Sequence, residues 1–231
     1  MQYAKMGSLR ENLYEVARIE WEKKLELISY IANDLHIIHS NNFIHSDLHS
    51  GNIFQNDLYN AYIGDLGLTT TNNKTLSKES GGVYGILPYI APEVLQGKPF
   101  TKASDVYSLG MIMWEISSGS VAFSDYKNDD SSLAIEIFKG LRPNILKGTA
   151  TCFEELLRKC WDEDPSNRPS ATEIHETILK WKNNTEIMNE LLKSDKEIVI
   201  EINESNTIYA SKFIKFVSSE IISDHLYIID I

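Results

Sequence analysis

Positive charge is scarce in this chain of 231 residues. Lysine and arginine number 22 against 33 aspartates and glutamates, a formal net charge of −11. With no basic surplus to displace counterions from a phosphate backbone, no nucleic-acid partner is expected. Cysteine is almost missing: Cys152 and Cys160 are the only two. They form neither a metal-type pair nor a disulfide framework, so reduced, packed thiols of an intracellular protein are expected. Long apolar runs are missing as well. The longest in the folded part, Leu109 to Trp114, is far too short for a bilayer, and the opening Met-Gln-Tyr-Ala-Lys is too polar for a signal peptide. The expected setting is the cytoplasm, with the nucleus as the alternative, and no membrane partner.

What is present is ordinary globular composition, 42% hydrophobic and 24% charged, enough for one core with a tail. Met1, Tyr3 and Ala4 read as the end of a buried strand, broken by Gly7. Ser8 and Glu11 form a capping box that predicts a short helix through about Tyr14. From Glu20 to His39, Trp21, Leu25, Ile28, Ile31, Ala32, Leu35 and Ile38 follow the spacing of a buried helical stripe. His36, His39, His45 and His49 invite a zinc reading. No cysteine or carboxylate pattern with zinc spacing accompanies them, so packed histidines are the expectation.

The organising stretch is Phe43 to Phe54, Phe-Ile-His-Ser-Asp-Leu-His-Ser-Gly-Asn-Ile-Phe. Phe43, Ile44, Ile53 and Phe54 are expected to sink into the core and hold the middle still. Asp47 and Asn52 both offer oxygens, and Gly51 permits a sharp turn between them. Such a turn suits proton acceptance from a hydroxyl or ligation of a hard cation. It equally suits a polar loop in which Asp47 caps a turn, and the stretch alone leaves both readings open. A strand at Ala61–Ile63 then runs into Gly64-Asp65-Leu66-Gly67, an aspartate between glycines where a ligand can approach closely. Asn52 and Asp65 together could hold a metal ion while Asp47 stays free as a base.

These two stretches resemble the catalytic loop and metal loop of a eukaryotic protein kinase, H-R-D-x-x-x-x-N followed by D-F-G. Ala91-Pro92-Glu93 matches the A-P-E motif that closes an activation segment, and Cys160-Trp161 through Arg168-Pro169 resembles the family's C-W-x-x-D-P-x-x-R-P. The set is most similar to the tyrosine-kinase-like group expanded in fungi. The resemblance implies a mainly α fold: a hinge and helical C-terminal lobe over residues 1–182, short β-hairpins at the catalytic loop, no N-terminal β lobe, and a loosely ordered tail over 183–231. It implies ATP and Mg²⁺ as cofactors and a protein substrate. By resemblance Asp47 is the catalytic base, and Asn52 and Asp65 are the metal ligands that also serve the nucleotide. Ala4 would lie in the adenine hinge with Tyr3, and Met1 would be the gatekeeper. Ser8 would either touch the ribose or only cap its helix. Gly67 would let the metal loop swing, and His45 and Leu66 would be buried behind the site. The resemblance makes Asp105 a bond to the catalytic-loop backbone from the head of a helix apolar nearly all round, and it pairs Arg168 with Glu93.

Departures from the pattern carry information. Ser46 replaces the arginine that clamps a phosphorylated activation loop, which puts such control in doubt. His49 replaces a lysine, Leu66 a phenylalanine and Ile86 a threonine, while by resemblance Tyr89 favours serine/threonine or dual specificity over tyrosine alone. Thr69, Thr70, Thr71, Thr75, Ser77, Ser80 and Tyr84 make a hydroxyl-rich loop, either phosphorylated or simply solvated. No G-x-G-x-x-G loop and no V-A-I-K strand occurs. The expectation is an N-terminally truncated kinase, inactive alone, and the alternative is a non-catalytic binding module. Beyond Asn183 one helix near Glu186–Leu192 is expected, with docking to an unidentified partner as one role for the tail.

Overall fold

A computed structural model describes residues 4–71, 81–127, 129–198, 200 and 210–217. Met1, Tyr3, Thr75, Ser77 and Ser80 lie outside the described residues. The architecture is helical, with small antiparallel ladders pinned to its surface.

The first helix, α1, spans Leu9–Ala17, a turn longer than the capping box alone predicts, because Leu13 and Val16 extend its buried face. The Glu11 carboxylate accepts from the Ser8 backbone N–H at 2.6 Å and its hydroxyl at 2.9 Å. These two bonds hold the Glu11 carboxyl below its ordinary pKa. α2, Trp21–Ser40, buries the expected stripe plus Leu27 and Lys24, while Ile38 is only half-buried. Trp21 meets Phe153 edge-on with ring centroids 4.6 Å apart.

α4, Lys102–Ser118, is the central post. Thr101 and Ser104 cap it reciprocally, and Gly119 ends it at φ +76°, where a side chain would be strained. Every residue from Ser104 to Ser118 is buried, so α4 has no solvent face. α1 packs on one side of it and α6, Thr151–Cys160, on another. Gly110 allows the second approach: a Cβ there would meet Cys160 Cβ and Trp161 Nε1, each at 2.7 Å. Burial raises the Cys160 thiol pKa to about 12 and the Cys152 thiol pKa to about 11, so both stay protonated.

α3, Pro92–Leu95, and α5, Asp130–Phe138, flank the post. α5 starts at Asp130 because Asp129 caps it by accepting from Ser131 N (2.8 Å) and Ser132 N (3.1 Å). α7, Ala171–Lys182, lies along α2. Asn183 is the C-cap of α7, and the chain continues directly into a further helix. Asn184 caps α8, Thr185–Glu197, which packs on α2 and α7 with Leu191 fully buried. Asp195 accepts from the Trp21 backbone N–H at 3.1 Å. The tail helix is thus nearly twice as long as expected, and it is built into the lobe.

Among the described residues, three two-stranded antiparallel sheets complete the fold. β1, Phe43–Ile44, pairs with β4, Thr70–Thr71. β2, Ile53–Asp57, pairs with β3, Asn60–Ile63, the hairpin anticipated beside the catalytic loop. β5, Gly82–Gly85, pairs with β6, Lys212–Lys215, from the far end of the chain. No helix among the described residues is long and apolar enough to cross a membrane.

Candidate active site

The Phe43–Phe54 stretch is held by fewer apolar anchors than its composition suggests. Ile44 and Ile53 are buried, but Phe43 is 43% exposed and Phe54 half-buried. The period-two alternation of β1 and β2 explains the correction: adjacent residues cannot both face the core. Polar bonding supplies the rest. Asp105, buried at the head of α4, accepts from His45 N at 2.8 Å through Oδ2 and from Ser46 N at 3.0 Å through Oδ1. His39 Nε2 lies 2.8 Å from the same Oδ2. This clamp holds Ser46 at φ +68°, a left-handed conformation costly for a residue with a Cβ. The cost is offset because the twist aims two consecutive N–H groups at one carboxylate.

Past Ser46 the loop closes on itself. Asn52 Nδ2 donates to the Asp47 carbonyl at 2.9 Å, which leaves Asn52 Oδ1 as the acceptor end of the amide. The Asp47 carboxylate is mostly shielded, with His49 Nε2 3.8 Å from its Oδ2. The β2–β3 hairpin carries the metal loop back to this point. Ile53 pairs with Ile63, and Gly64 N donates to the Asn52 carbonyl at 2.8 Å. His45, fully buried, has Nε2 3.0 Å from the Gly64 carbonyl. Asp34 on α2 accepts from Ile63 N at 3.1 Å. Gly64 must be glycine, since a Cβ would sit 2.5 Å from the Phe54 ring.

Asp65 follows at φ +52°, its Oδ1 accepting weakly from Gly67 N at 3.3 Å and its side chain otherwise open to solvent. A carboxylate and a carboxamide oxygen, both hard donors with capacity to spare, fit a Mg²⁺-like cation. Leu66 is a correction. It is 55% exposed, because the turn at Asp65 sends the chain outward, so it is not packed behind the site. His36, 2.6 Å from Thr172 Oγ1, joins His39 and His45 as a hydrogen-bonded histidine. Among the described residues no group of three or more His, Cys, Asp or Glu is placed to hold a metal.

Of the cofactor residues named from resemblance, Ala4 is half-buried just before the turn into α1, and the chain beside it is tied to β2 by Met6 N to Gln55 O at 3.1 Å. Ser8 is engaged in its capping box. Met1 and Tyr3 fall outside the described residues.

One polar cluster is absent from the sequence reading. Behind the catalytic loop, the Tyr89 hydroxyl donates to Glu115 Oε1 at 2.6 Å and lies 2.9 Å from Ser50 Oγ. Arg10 reaches both, with Nη2 3.4 Å from the Tyr89 hydroxyl and Nε 3.4 Å from Ser50 Oγ. Glu115 also accepts from Ala122 N at 2.9 Å, while its Oε2 is buried without a partner. Burial raises the Glu115 carboxyl pKa and pushes Tyr89 well above the ordinary phenol. The available signal was a glutamate in an otherwise apolar helix, a group that must find a donor or a proton. The cluster ties the end of the activation segment to Ser50, two residues before Asn52. Farther off, Arg168 forms a bidentate pair with Glu93, both N–O distances 2.8 Å, and also donates to Ala103 O and Asp162 O.

Comparison with known proteins agrees with this geometry. A family model described as protein tyrosine and serine/threonine kinase matches residues 1–178. The chain is 30% identical over 182 residues to the serine/threonine/tyrosine-protein kinase HT1 of Arabidopsis thaliana, covering 78% of this chain and 46% of that protein. It is 32% identical over 181 residues to a LIM domain-containing serine/threonine-protein kinase of Dictyostelium discoideum, covering 78% of this chain and 27% of that one. The chain thus spans less than half the length of these curated relatives. With an Asp105-clamped loop presenting Asp47, a hairpin joining Asn52 to the Asp65 turn and a match across most of its length, this chain belongs to the protein tyrosine and serine/threonine kinase family.

Proposed function

We propose that the chain is the hinge and C-terminal lobe, residues 1–182, of a tyrosine-kinase-like protein kinase that phosphorylates protein hydroxyls, serine or threonine in preference to tyrosine. Mg-ATP, when bound, supplies the γ-phosphoryl group. Asp47 accepts the proton of the substrate hydroxyl as that oxygen becomes the phosphoester oxygen. Its placement on a loop clamped by Asp105, with the carboxylate mostly shielded and the backbone carbonyl tied to Asn52, is the observation that carries this reading. Asn52 Oδ1 and the Asp65 carboxylate hold the cation. Ala4 lines the adenine side, the role the resemblance also gives Met1 and Tyr3, which lie outside the described residues, and Ser8 keeps one lone pair for a ribose hydroxyl. His49 stands where a lysine would, and as a neutral imidazole it stabilises transferred phosphate less.

No glycine-rich loop and no phosphate-positioning lysine strand lies within the 231 residues, so these residues by themselves turn over negligibly. That composition, together with Ser46, is what favours the second reading, a non-catalytic binding module. The test joins this chain to the glycine-rich, lysine-bearing lobe of a related kinase and follows radiolabel from ATP into serine, threonine and tyrosine peptides. The expected result is transfer to serine or threonine that Asp47→Asn lowers at least a thousandfold without changing the melting temperature. Undiminished transfer in that variant would remove Asp47 from its role, and none in the parent would favour the binding module.

A further inference from the structure

The β5–β6 ladder joins two segments more than 120 residues apart in sequence, one in the activation segment and one in the tail. Gly82 faces Lys215, Val83 faces Ile214, Tyr84 faces Phe213 and Gly85 faces Lys212. Ile214 and Val217 are buried in the core, and Val217 N donates to the Leu95 carbonyl at 2.8 Å. The Phe213 ring meets Tyr84 at 5.3 Å, and Lys212 pairs with Asp130. Gly82 is shaped for this neighbour, since a Cβ there would lie 2.3 Å from the Ile214 carbonyl oxygen. Among the described residues β6 is the only strand on β5, so its departure bares an edge with unpaired N–H and C=O groups. That edge is continuous with the site: β5 leads through Ile86 into the Leu87–Tyr89 turn, whose Tyr89 hydroxyl bonds Ser50.

We propose that β6 is a self-supplied occupant of a peptide-docking edge, and that its release opens β5 to an extended peptide of the same chemistry. Such a peptide carries an aliphatic residue directed inward where Ile214 sits and a lysine beside Asp130, as suits a chain with a net charge of −11. Adding a strand to a sheet edge draws its affinity from main-chain bonds and its selectivity from alternate side chains. The occupant is tethered: Glu197, the end of α8, precedes Lys212 in the same chain. A tether of this kind gives an effective concentration on the order of 1 mM, so a peptide from solution competes at a disadvantage of ~10–100-fold. Rejection of incoming peptide is then the ground state. The proposal rests on the kinase reading only in identifying that peptide as a substrate.

The test uses full-length chain and a fluorescein-labelled peptide of residues 210–217, read by anisotropy without nucleotide. Ile214→Asp with Val217→Asp releases β6, and Lys212→Glu weakens it without touching the core. A Tyr84→Cys, Phe213→Cys pair locks it on oxidation. The release variant is expected to bind the peptide at least tenfold tighter than the parent, and Lys212→Glu at least twofold tighter. The oxidised lock should bind nothing until reduced, and amides of residues 82–85 should lose exchange protection in the release variant. Equal affinity in the parent, Lys212→Glu and oxidised lock overturns the proposal, even if the release variant fails to fold. Adding Asp47→Asn to Lys212→Glu should leave peptide affinity unchanged, so a failure of phosphate transfer and a failure of docking remain distinguishable.

Discussion

At the scale of single residues, Asp105 contributes more to the site than any apolar anchor. It satisfies two backbone N–H groups and His39 at once, and it holds Ser46 in a conformation that residue would not choose. Replacing it by alanine orphans those buried donors, at about 1–3 kcal/mol for each unsatisfied group. Urea unfolding of Asp105→Ala is therefore expected to show a loss of roughly 2–4 kcal/mol with Asp47 displaced. A loss under about 0.5 kcal/mol would mean the loop is held otherwise. Glu115 makes a prediction of the opposite sign. Its folded pKa is raised by burial above the ordinary value of 4.5, so the fold favours the protonated carboxyl. Stability from this group is complete below pH 4.5 and is lost as the pH rises through the raised pKa. Glu115→Gln keeps an acceptor for Tyr89 and Ala122 and carries no charge. It should melt above the parent at pH 7, with the advantage fading as the pH approaches 4.5. An advantage independent of pH would show that the Glu115 proton is not the cause. The bond from Asp105 to the backbone of the Phe43–Phe54 stretch was legible because it is motif-bound. The Tyr89–Glu115 bond was not, because the two lie 26 residues apart and pair only once α4 is built.

Among elements, the helices were the readable part. The stripe of α2, the capping box of α1 and the all-round apolarity of α4 each state a period or a terminus in sequence. The extent of α8 was misjudged where its cap, Asn184, lies outside the apolar pattern. Phe43 and Leu66 were misplaced because hydrophobic identity does not say which face of a two-residue strand or a tight turn points inward. β6 was illegible for a different reason: a four-residue strand has meaning only against its distant partner. The Arg168–Glu93 pair, anticipated from motif, ties α3, the head of α4 and the turn at Asp162 together through four hydrogen bonds from one guanidinium. Arg168→Ala leaves Glu93 buried and unpaired and should cost about 3–5 kcal/mol in chemical denaturation. Arg168→Lys keeps the charge but not the planar fork, and should recover only part of that loss. Equal melting temperatures for alanine and wild type would contradict the buried pairing.

For the molecule as a whole, the lobe presents the proposed base, Asp47, and the proposed cation ligands, Asn52 and Asp65, on a floor braced from behind by Asp105 and by the Arg10–Ser50–Tyr89–Glu115 cluster. The central claim is the division of labour in that floor: Asn52 and Asp65 bind the cation, and Asp47 does not. Paramagnetic broadening of backbone amide signals by substoichiometric Mn²⁺ tests it on the 231-residue chain directly. The account predicts broadening centred on Asn52 and Gly64 to Gly67 that disappears in Asp65→Asn and survives in Asp47→Asn. Broadening that survives in Asp65→Asn, or vanishes in Asp47→Asn, would contradict it.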